Sequence, residues 1–203
     1  ATIDAALAAD EDAAAAAAVE LRGAALLTLS RSGTAFDAVV GADPPRVVVA
    51  ESRTACEGVG TAERLAADGL DVTLTTDAAV ATLVGDVDAV LVGADTVLRD
   101  GSVVNKVGTR AAALAAADAD VPVYAVCARD KIAPDVDPDA PALEDAPAAA
   151  LYDGDADLSV ANPLFDVTPA AHLTGVVTER GVYDAADVRD AATDLRALAD
   201  WDG

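Results

Sequence analysis

The segment 90–109, VLVGADTVLRDGSVVNKVGT, sets carboxylates, a lysine and several small residues close together. Asp95 follows the apolar run 89–92, so it should stand at the C-terminal end of a buried strand, where open α/β sheets place chemistry. A carboxylate in that position can be tuned by burial and can move a proton beside a carbonyl. Asn105, Lys106, Gly108 and Thr109 precede an alanine-rich helix. Small residues, a lysine and a helix N-terminus together favour an anion such as a phosphate. The ordinary alternative is a strand end, a hairpin turn at Asp100-Gly101 and a helix cap. Two further turns carry candidate chemistry. Ser30, Arg31, Ser32, Gly33 and Thr34 form a stretch rich in hydroxyls and donors. Arg53 follows a β-branched run, and an arginine suits a bidentate phosphate contact, although a salt-bridged surface arginine is the default in an acidic chain.

The elements that must hold these residues alternate. Helices are expected over 5–22, 35–40, 55–68, 78–84, 107–118 and 184–199. Strands are expected over 24–29, 46–50, 70–74, 88–92, 102–104, 121–126 and, as the last strand, 173–177. Thr75, Thr76 and Asp77 supply cap chemistry for the helix over 78–84. Short-spaced alternation of this kind implies parallel strands with right-handed crossovers, hence an α/β, doubly wound, mostly parallel Rossmann-like sheet. Residues 135–157 are rich in Pro, Asp and Ala without a clear period and read as a long solvated loop, with order returning at 158–160. The organisation expected is a helical segment over 1–24 followed by one α/β domain over 25–203. In the last helix, Val188, Leu195 and Leu198 share an apolar face that could join a second copy.

Composition narrows the classes. The chain has 203 residues, 53% of them hydrophobic and 3% aromatic, so a single core should rest on Val, Leu and Ala. Thirteen basic residues face 36 acidic ones, for a net charge of −23. Lysine occurs only at Lys106 and Lys131. Acidity spread along the whole chain is the pattern of a protein working in concentrated salt, and it argues against direct nucleic-acid binding, which needs a basic face. Cys56 and Cys127 have no metal-ligand spacing, and a reduced cytoplasm is the simpler compartment. No apolar run is long enough for a membrane span. No dinucleotide or P-loop motif is present, and the carboxylates are not clustered, so no cofactor and no metal is called for. His172 reads as a packed or surface histidine rather than a ligand.

Taken together, several segments resemble one family: the alpha, beta and delta subunits of translation initiation factor 2B, with their relatives methylthioribose-1-phosphate isomerase and ribose-1,5-bisphosphate isomerase. VGAD and DGSVVNKVGT carry the resemblance first. TLSRSGT over 28–34 stands where the family has its first active-site turn. ESRTACEG over 51–58 is similar to E-[ST]-R-P-x-x-[EQ]-G, with Thr54 in place of the proline. VYAVCARDK over 123–131, NPLFDVTP over 162–169 and VTERG over 177–181 complete it.

The resemblance implies roles. Asp95 matches the isomerases' general acid/base. Ser30 stands where they carry cysteine, within T-H-C-N-x-G or a similar run, and Leu29 where they carry histidine. A thiol, with a pKa of about 8.5, can exchange a proton at neutral pH, whereas a hydroxyl needs a dedicated base. Arg31, Gly33, Thr34, Arg53, Asn105, Lys106 and Lys131 are the implied substrate-binding residues. Asp166 reads as a turn-stabilising aspartate at the pocket rim. Because Ser30 replaces the thiol, the leading expectation is a factor-2B-like regulatory protein, weakly or non-catalytic, with a pocket for a phosphorylated sugar or nucleotide. The alternatives are an aldose–ketose isomerase acting on ribose 1,5-bisphosphate or methylthioribose 1-phosphate, and a structural subunit without a ligand. Family members also carry an N-terminal helical domain, here expected to be missing or reduced to one helix. They form homo-oligomers or assemble with related subunits, which is the expectation for this chain.

Overall fold

The computed structural model describes residues 3–53 and 55–199. Its elements in order are α1 (Ile3–Glu20), β1 (Leu26–Leu29), α2 (Gly33–Ala42), β2 (Val47–Ala50), α3 (Glu57–Ala67), β3 (Val72–Thr75), α4 (Val80–Leu83), β4 (Ala89–Gly93), β5 (Thr96–Leu98), β6 (Val103–Lys106), α5 (Thr109–Asp118), β7 (Val123–Val126), β8 (Ile132–Ala133), β9 (Phe165–Thr168), β10 (Gly175–Thr178), β11 (Gly181–Tyr183) and α6 (Ala185–Ala199).

The main sheet has seven strands in the order β11-β10-β7-β4-β1-β2-β3. Every pairing is parallel except β10 with β11. The doubly wound α/β class expected from the alternation is therefore the fold observed. Strands β1, β2 and β4 are buried along their whole length, as apolar strands covered on both faces must be. Their side chains divide with period two. Leu26, Val47, Val49, Ala89 and Leu91 pack toward α1, α2 and α3 through Ala13, Ala17, Phe36, Val39 and Leu65. Leu27, Val48, Val90 and Val92 pack on the other face toward Val80, Ala112, Ala113, Ala116 and Val188. Alanine helices lie close to a sheet, which is how a chain so poor in aromatics fills its interior.

The chain order reverses between β1 and β4. Strands added after β1 run outward through β2 and β3, and those from β4 run outward on the other side. Where neighbouring crossovers leave in opposite directions, a crevice opens at the carboxyl ends of the strands.

A second sheet of four short strands, β8-β5-β6-β9, sits beside that crevice. Strand β6 pairs antiparallel with β9, setting Asn105 opposite Asp166 and Lys106 opposite Phe165. The sequence pattern marks only a single strand here. Strands this short bury too little for periodicity to reveal them, and β6 and β9 are partners only through tertiary pairing.

Several boundaries differ from expectation. Order, expected to return at 158–160, returns only later: those residues form neither helix nor strand, Leu158 is exposed, and the next strand is β9. The last strand is β11, a hairpin return after Gly181, whose φ is +114°. The helix expected from 107 begins at Thr109, because Gly108 is left-handed at φ +105° and the Val107 N–H donates to the Leu164 carbonyl. Thr76 makes no side-chain cap; the Asp77 carboxylate instead accepts from the N–H groups of Ser52 and Arg53. Residues 135–157 contain only one short 3-10 turn, Ala148–Ala150, and an isolated bridge from Asp145 to Pro163. In α6, Val188 is fully buried and Leu195 packs on the core, leaving Leu198 exposed at 65%. Val188 and Leu195 thus close the helix onto its own core, while Leu198 faces outward.

Candidate functional site

A cleft of about 360 Å³ occupies the crevice between the ends of β1 and β4. Its walls include Ser30, Arg31, Gly33 and Thr34 after β1, Asp95 after β4, Asn105 and Lys106 from β6, and Lys131 after β7. Eight of the nine residues singled out in the sequence thus meet in one place. Arg53 is the exception: it is not on the cleft wall, and its guanidinium reaches Cys56 Sγ at 3.6 Å. Thr54, where the family pattern has proline, lies outside the described residues.

Both lysines of the chain line this cleft. With Arg31 they set three cations against the three carboxylates of the wall, Asp10, Glu57 and Asp95, so the cleft is formally neutral in a molecule with a net charge of −23. The N-terminus of α2 adds positive potential. Ser32 caps that helix by accepting from the Ala35 N–H at 3.2 Å, and Gly33 and Thr34 form its first turn beside the cleft. Free N–H groups at a helix start attract anions. A Cβ at Gly93 would lie 2.5 Å from Ser32 Oγ, so only glycine lets the end of β4 sit under that cap.

The start of α5 does not serve in the same way. Asp166, from β9, accepts from the N–H of Gly108 at 2.8 Å and from that of Arg110 at 3.2 Å. A carboxylate of the protein already occupies that N-terminus, correcting the expectation that residues 105–109 use it to hold a ligand. Burial pushes the Asp166 carboxyl up from its usual value, against the pull of those two N–H groups and of the Arg110 charge. Asn105, by contrast, is buried and donates through Nδ2 to Thr109 Oγ1 at 2.9 Å, which fixes the strand end that carries Lys106.

Sequence reasoning missed the residue at the centre. Glu57, the first residue of α3, accepts from Ser30 Oγ at 3.2 Å through Oε2. The same oxygen lies 3.1 Å from Lys106 Nζ, and Oε1 lies 3.3 Å from Arg31 Nη2. Burial alone would push Glu57 upward. The hydrogen bond and charge of Lys106, the Ser30 hydroxyl and Arg31 outweigh it and hold the carboxyl below its ordinary range. Its signal was present as the acidic residue before glycine in ESRTACEG. What the signal could not convey was the distance. Gly58 provides that: a Cβ there would fall 2.0 Å from the Ala50 carbonyl oxygen, so α3 starts hard against the end of β2 and Glu57 reaches across to β1.

Asp95 titrates in the opposite direction. The residue is exposed as a whole, but its carboxyl faces the cleft. Partial desolvation there pushes it above its usual value against the pull of Lys131 and Lys106, and the Glu57 charge adds to the upward push. The two carboxylates of one cleft are therefore shifted in opposite directions, Asp95 upward and Glu57 downward. That divergence is how a site obtains an acid and a base from like groups.

Three more residues join the wall unannounced. Asp10 reaches in from α1, 3.4 Å from Thr34 Oγ1. Phe165 lies under Lys106, with Nζ 5.4 Å from its ring centroid. Cys127 is buried after β7, and burial pushes its thiol up to about 12. Although it is the thiol on this wall, it stays protonated at neutral pH and does not substitute for one at position 30. Lys131 is held in place through the turn Arg129–Lys131, whose Arg129 N–H donates to Glu179 at 2.9 Å.

Ser30, on the cleft wall, has a left-handed φ of 60°; Ser52 and Cys56, flanking the loop before α3, have 58° and 53°, and Asp43 and Asp120 at helix ends have 51° and 55°. Among the described residues no group of His, Cys, Asp and Glu could hold a metal ion. No described helix is long and apolar enough to cross a membrane.

Comparison with known proteins finds one family, with both isomerases and initiation factor subunits among the matches. Residues 1–185 match the initiation factor 2 subunit family. A ribose 1,5-bisphosphate isomerase of Haloferax volcanii is 41% identical over 147 residues, covering 67% of this chain and 44% of the relative. A ribose 1,5-bisphosphate isomerase of Archaeoglobus fulgidus is 38% identical, covering 66% of this chain and 44% of the relative. The chain thus spans less than half the length of these curated relatives. Among solved structures, the 5-methylthioribose 1-phosphate isomerase of Pyrococcus horikoshii OT3 superposes with a TM-score of 0.82 at 27% identity, covering 96% of this chain and 60% of that one. The delta subunit of translation initiation factor eIF-2B from A. fulgidus gives a TM-score of 0.82 at 28% identity, covering 94% of this chain and 63% of that one.

Proposed function

The chain belongs to the initiation factor 2 subunit family, and we propose that its cleft is that of an aldose–ketose isomerase acting on a sugar 1-phosphate, with ribose 1,5-bisphosphate ahead of methylthioribose 1-phosphate. The observation that carries this reading is the pair of carboxylates, Asp95 and Glu57, in a cleft that also gathers both lysines, one of them 3.1 Å from Glu57. A site built only to hold a phosphate gains nothing from two carboxylates. The relatives at 41% and 38% identity are named as isomerases of ribose 1,5-bisphosphate, which supports the same substrate class here. The regulatory, non-catalytic expectation rested on Ser30 in place of a thiol, and with Glu57 beside it Ser30 no longer lacks a base.

Converting a cyclic sugar 1-phosphate to its ketose needs a proton on the ring oxygen as the ring opens. It also needs a proton taken from C2 and one delivered to C1. In this reading Asp95, at the end of β4 with its carboxyl on the cleft, protonates the ring oxygen. Lys106, Lys131, Arg31 and the first turn of α2 hold the phosphate oxygens. We further propose that the protein works in the cytoplasm at high salt, on the strength of its spread acidity.

The test is formation of ribulose 1,5-bisphosphate from ribose 1,5-bisphosphate by the full chain. Asp95→Asn is expected to cut turnover by ~10²–10⁴-fold while substrate still binds. Lys106→Ala is expected to weaken substrate binding by about tenfold or more, as loss of a charge-assisted phosphate contact should. Turnover that survives Asp95→Asn would remove the acid from this assignment, and no turnover at all would return the chain to the regulatory reading.

A further inference from the structure

We propose that Glu57 is the dedicated base of Ser30, and that the substrate's phosphate releases it for that role by taking over Lys106 and Arg31. The inference deepens the isomerase reading and rests on it. Three contacts carry it. Ser30 Oγ donates to Glu57 Oε2 at 3.2 Å, Lys106 Nζ stands 3.1 Å from the same oxygen, and Arg31 Nη2 stands 3.3 Å from Oε1. Glu57 therefore holds the cations that a phosphate entering this cleft would need. Lys106 is only 17% exposed and sits against the Phe165 ring, so it has little room to meet a phosphate except by turning away from the carboxylate. Arg31 is 70% exposed and free to follow.

The exchange alters the base. With Lys106 and Arg31 engaged, Glu57 is the more basic, because the charges that hold it down now face the phosphate. Its hydrogen bond with Ser30 remains. The backbone of Ser30 is pinned on both sides. Its N–H donates to the Ala50 carbonyl, its own carbonyl accepts from Thr61 Oγ1 at 2.7 Å, and its left-handed φ of 60° directs the hydroxyl off the end of β1.

The step balances. The C2–H bond breaks and its proton passes to Ser30 Oγ, while the proton already on Oγ passes to Glu57 Oε2. The C–H electron pair forms the C1–C2 double bond as the bond from C1 to the ring oxygen breaks, and Asp95 protonates that oxygen. In the second half the proton stored on Glu57 returns through Ser30 to C1, and the C2 hydroxyl gives its proton back to Asp95. No oxidant or co-reactant is consumed.

The experiment pairs Glu57→Gln with Ser30→Cys. Glutamine still accepts from Ser30 but takes no proton and attracts no cation. Glu57→Gln is expected to lower kcat by about 100-fold or more and to remove the acidic limb of the pH–kcat profile. A thiol ionises by itself, so in the Ser30→Cys background the same change should cost less than about tenfold, the difference marking action through Ser30. Binding of inorganic phosphate, measured calorimetrically without turnover, should tighten several-fold in Glu57→Gln because Lys106 and Arg31 are free beforehand. Parent-level kcat in Glu57→Gln, or an equal loss in both backgrounds, would overturn the relay and leave the isomerase standing. Unchanged phosphate affinity would overturn the displacement. Absence of turnover in the unsubstituted protein would overturn the isomerase reading and the relay with it.

Discussion

Two residues on the wall of one cleft look alike in sequence and differ in chemistry. Ser30 and Cys127 each follow a buried strand, yet it is the hydroxyl that meets a carboxylate and the thiol that does not ionise. Burial makes the difference for Cys127: with its thiol pushed up to about 12, it carries almost no thiolate at pH 8. Cys56, half-exposed at the start of α3, has no such cover. Brief treatment of the native protein with iodoacetamide at pH 8 should therefore modify Cys56 and spare Cys127, with both reacting once the chain is unfolded. Mass mapping that finds Cys127 modified first in the native state would place an ionisable thiol in the cleft and reopen the assignment of Ser30.

At the scale of elements, the site depends on two close approaches rather than on long helices. The start of α3 touches the end of β2 at Gly58, and the cap of α2 rests on the end of β4 at Gly93. Gly58→Ala would drive a methyl carbon to 2.0 Å from a backbone oxygen, which cannot move aside as a side chain can. The expected cost is ~1–3 kcal/mol of stability from overpacking, together with displacement of Glu57 from Ser30. Denaturant unfolding would measure the first, and phosphate binding the second. Asp166 works at the same scale. By capping α5 from β9 it ties the strand bearing Lys106 to the helix that follows. Asp166→Ala should cost ~1–2 kcal/mol, as loss of a helix cap does, and its melting curve provides the check.

For the whole molecule, charge is the dominant fact. A net charge of −23 on one 203-residue chain sets up self-repulsion that dissolved ions screen. The thermal midpoint is expected to rise by many degrees between about 0.1 M and about 2 M potassium chloride. Equal midpoints would show that the acidity serves another purpose. The same field bears on the cleft. With Arg31, Lys106 and Lys131 balancing Asp10, Glu57 and Asp95, the cleft repels an anion less than the acidic surface around it, so substrate capture should weaken less with Arg53→Ala, off the wall, than with Lys131→Ala.

The layers of the fold were legible in the order of residues. Apolar runs such as 46–50 and 88–92, each bounded by turn residues and separated by alanine-rich helices, admit few arrangements other than a parallel sheet covered on both faces, because every buried strand must find cover. The turns that carry Ser30, Asp95 and Lys106 were legible too, since short motifs with glycine, hydroxyls and a lone lysine stand out against so uniform a composition. Only folding settles which carboxylate serves Ser30 and which helix end is open. Glu57 lies 27 residues from Ser30 and Asp166 lies 58 from Gly108. Local pattern carries no measure of such separations. They are set by where crossovers lay neighbouring strand ends, and by how closely a missing side chain at Gly58 lets two backbones meet.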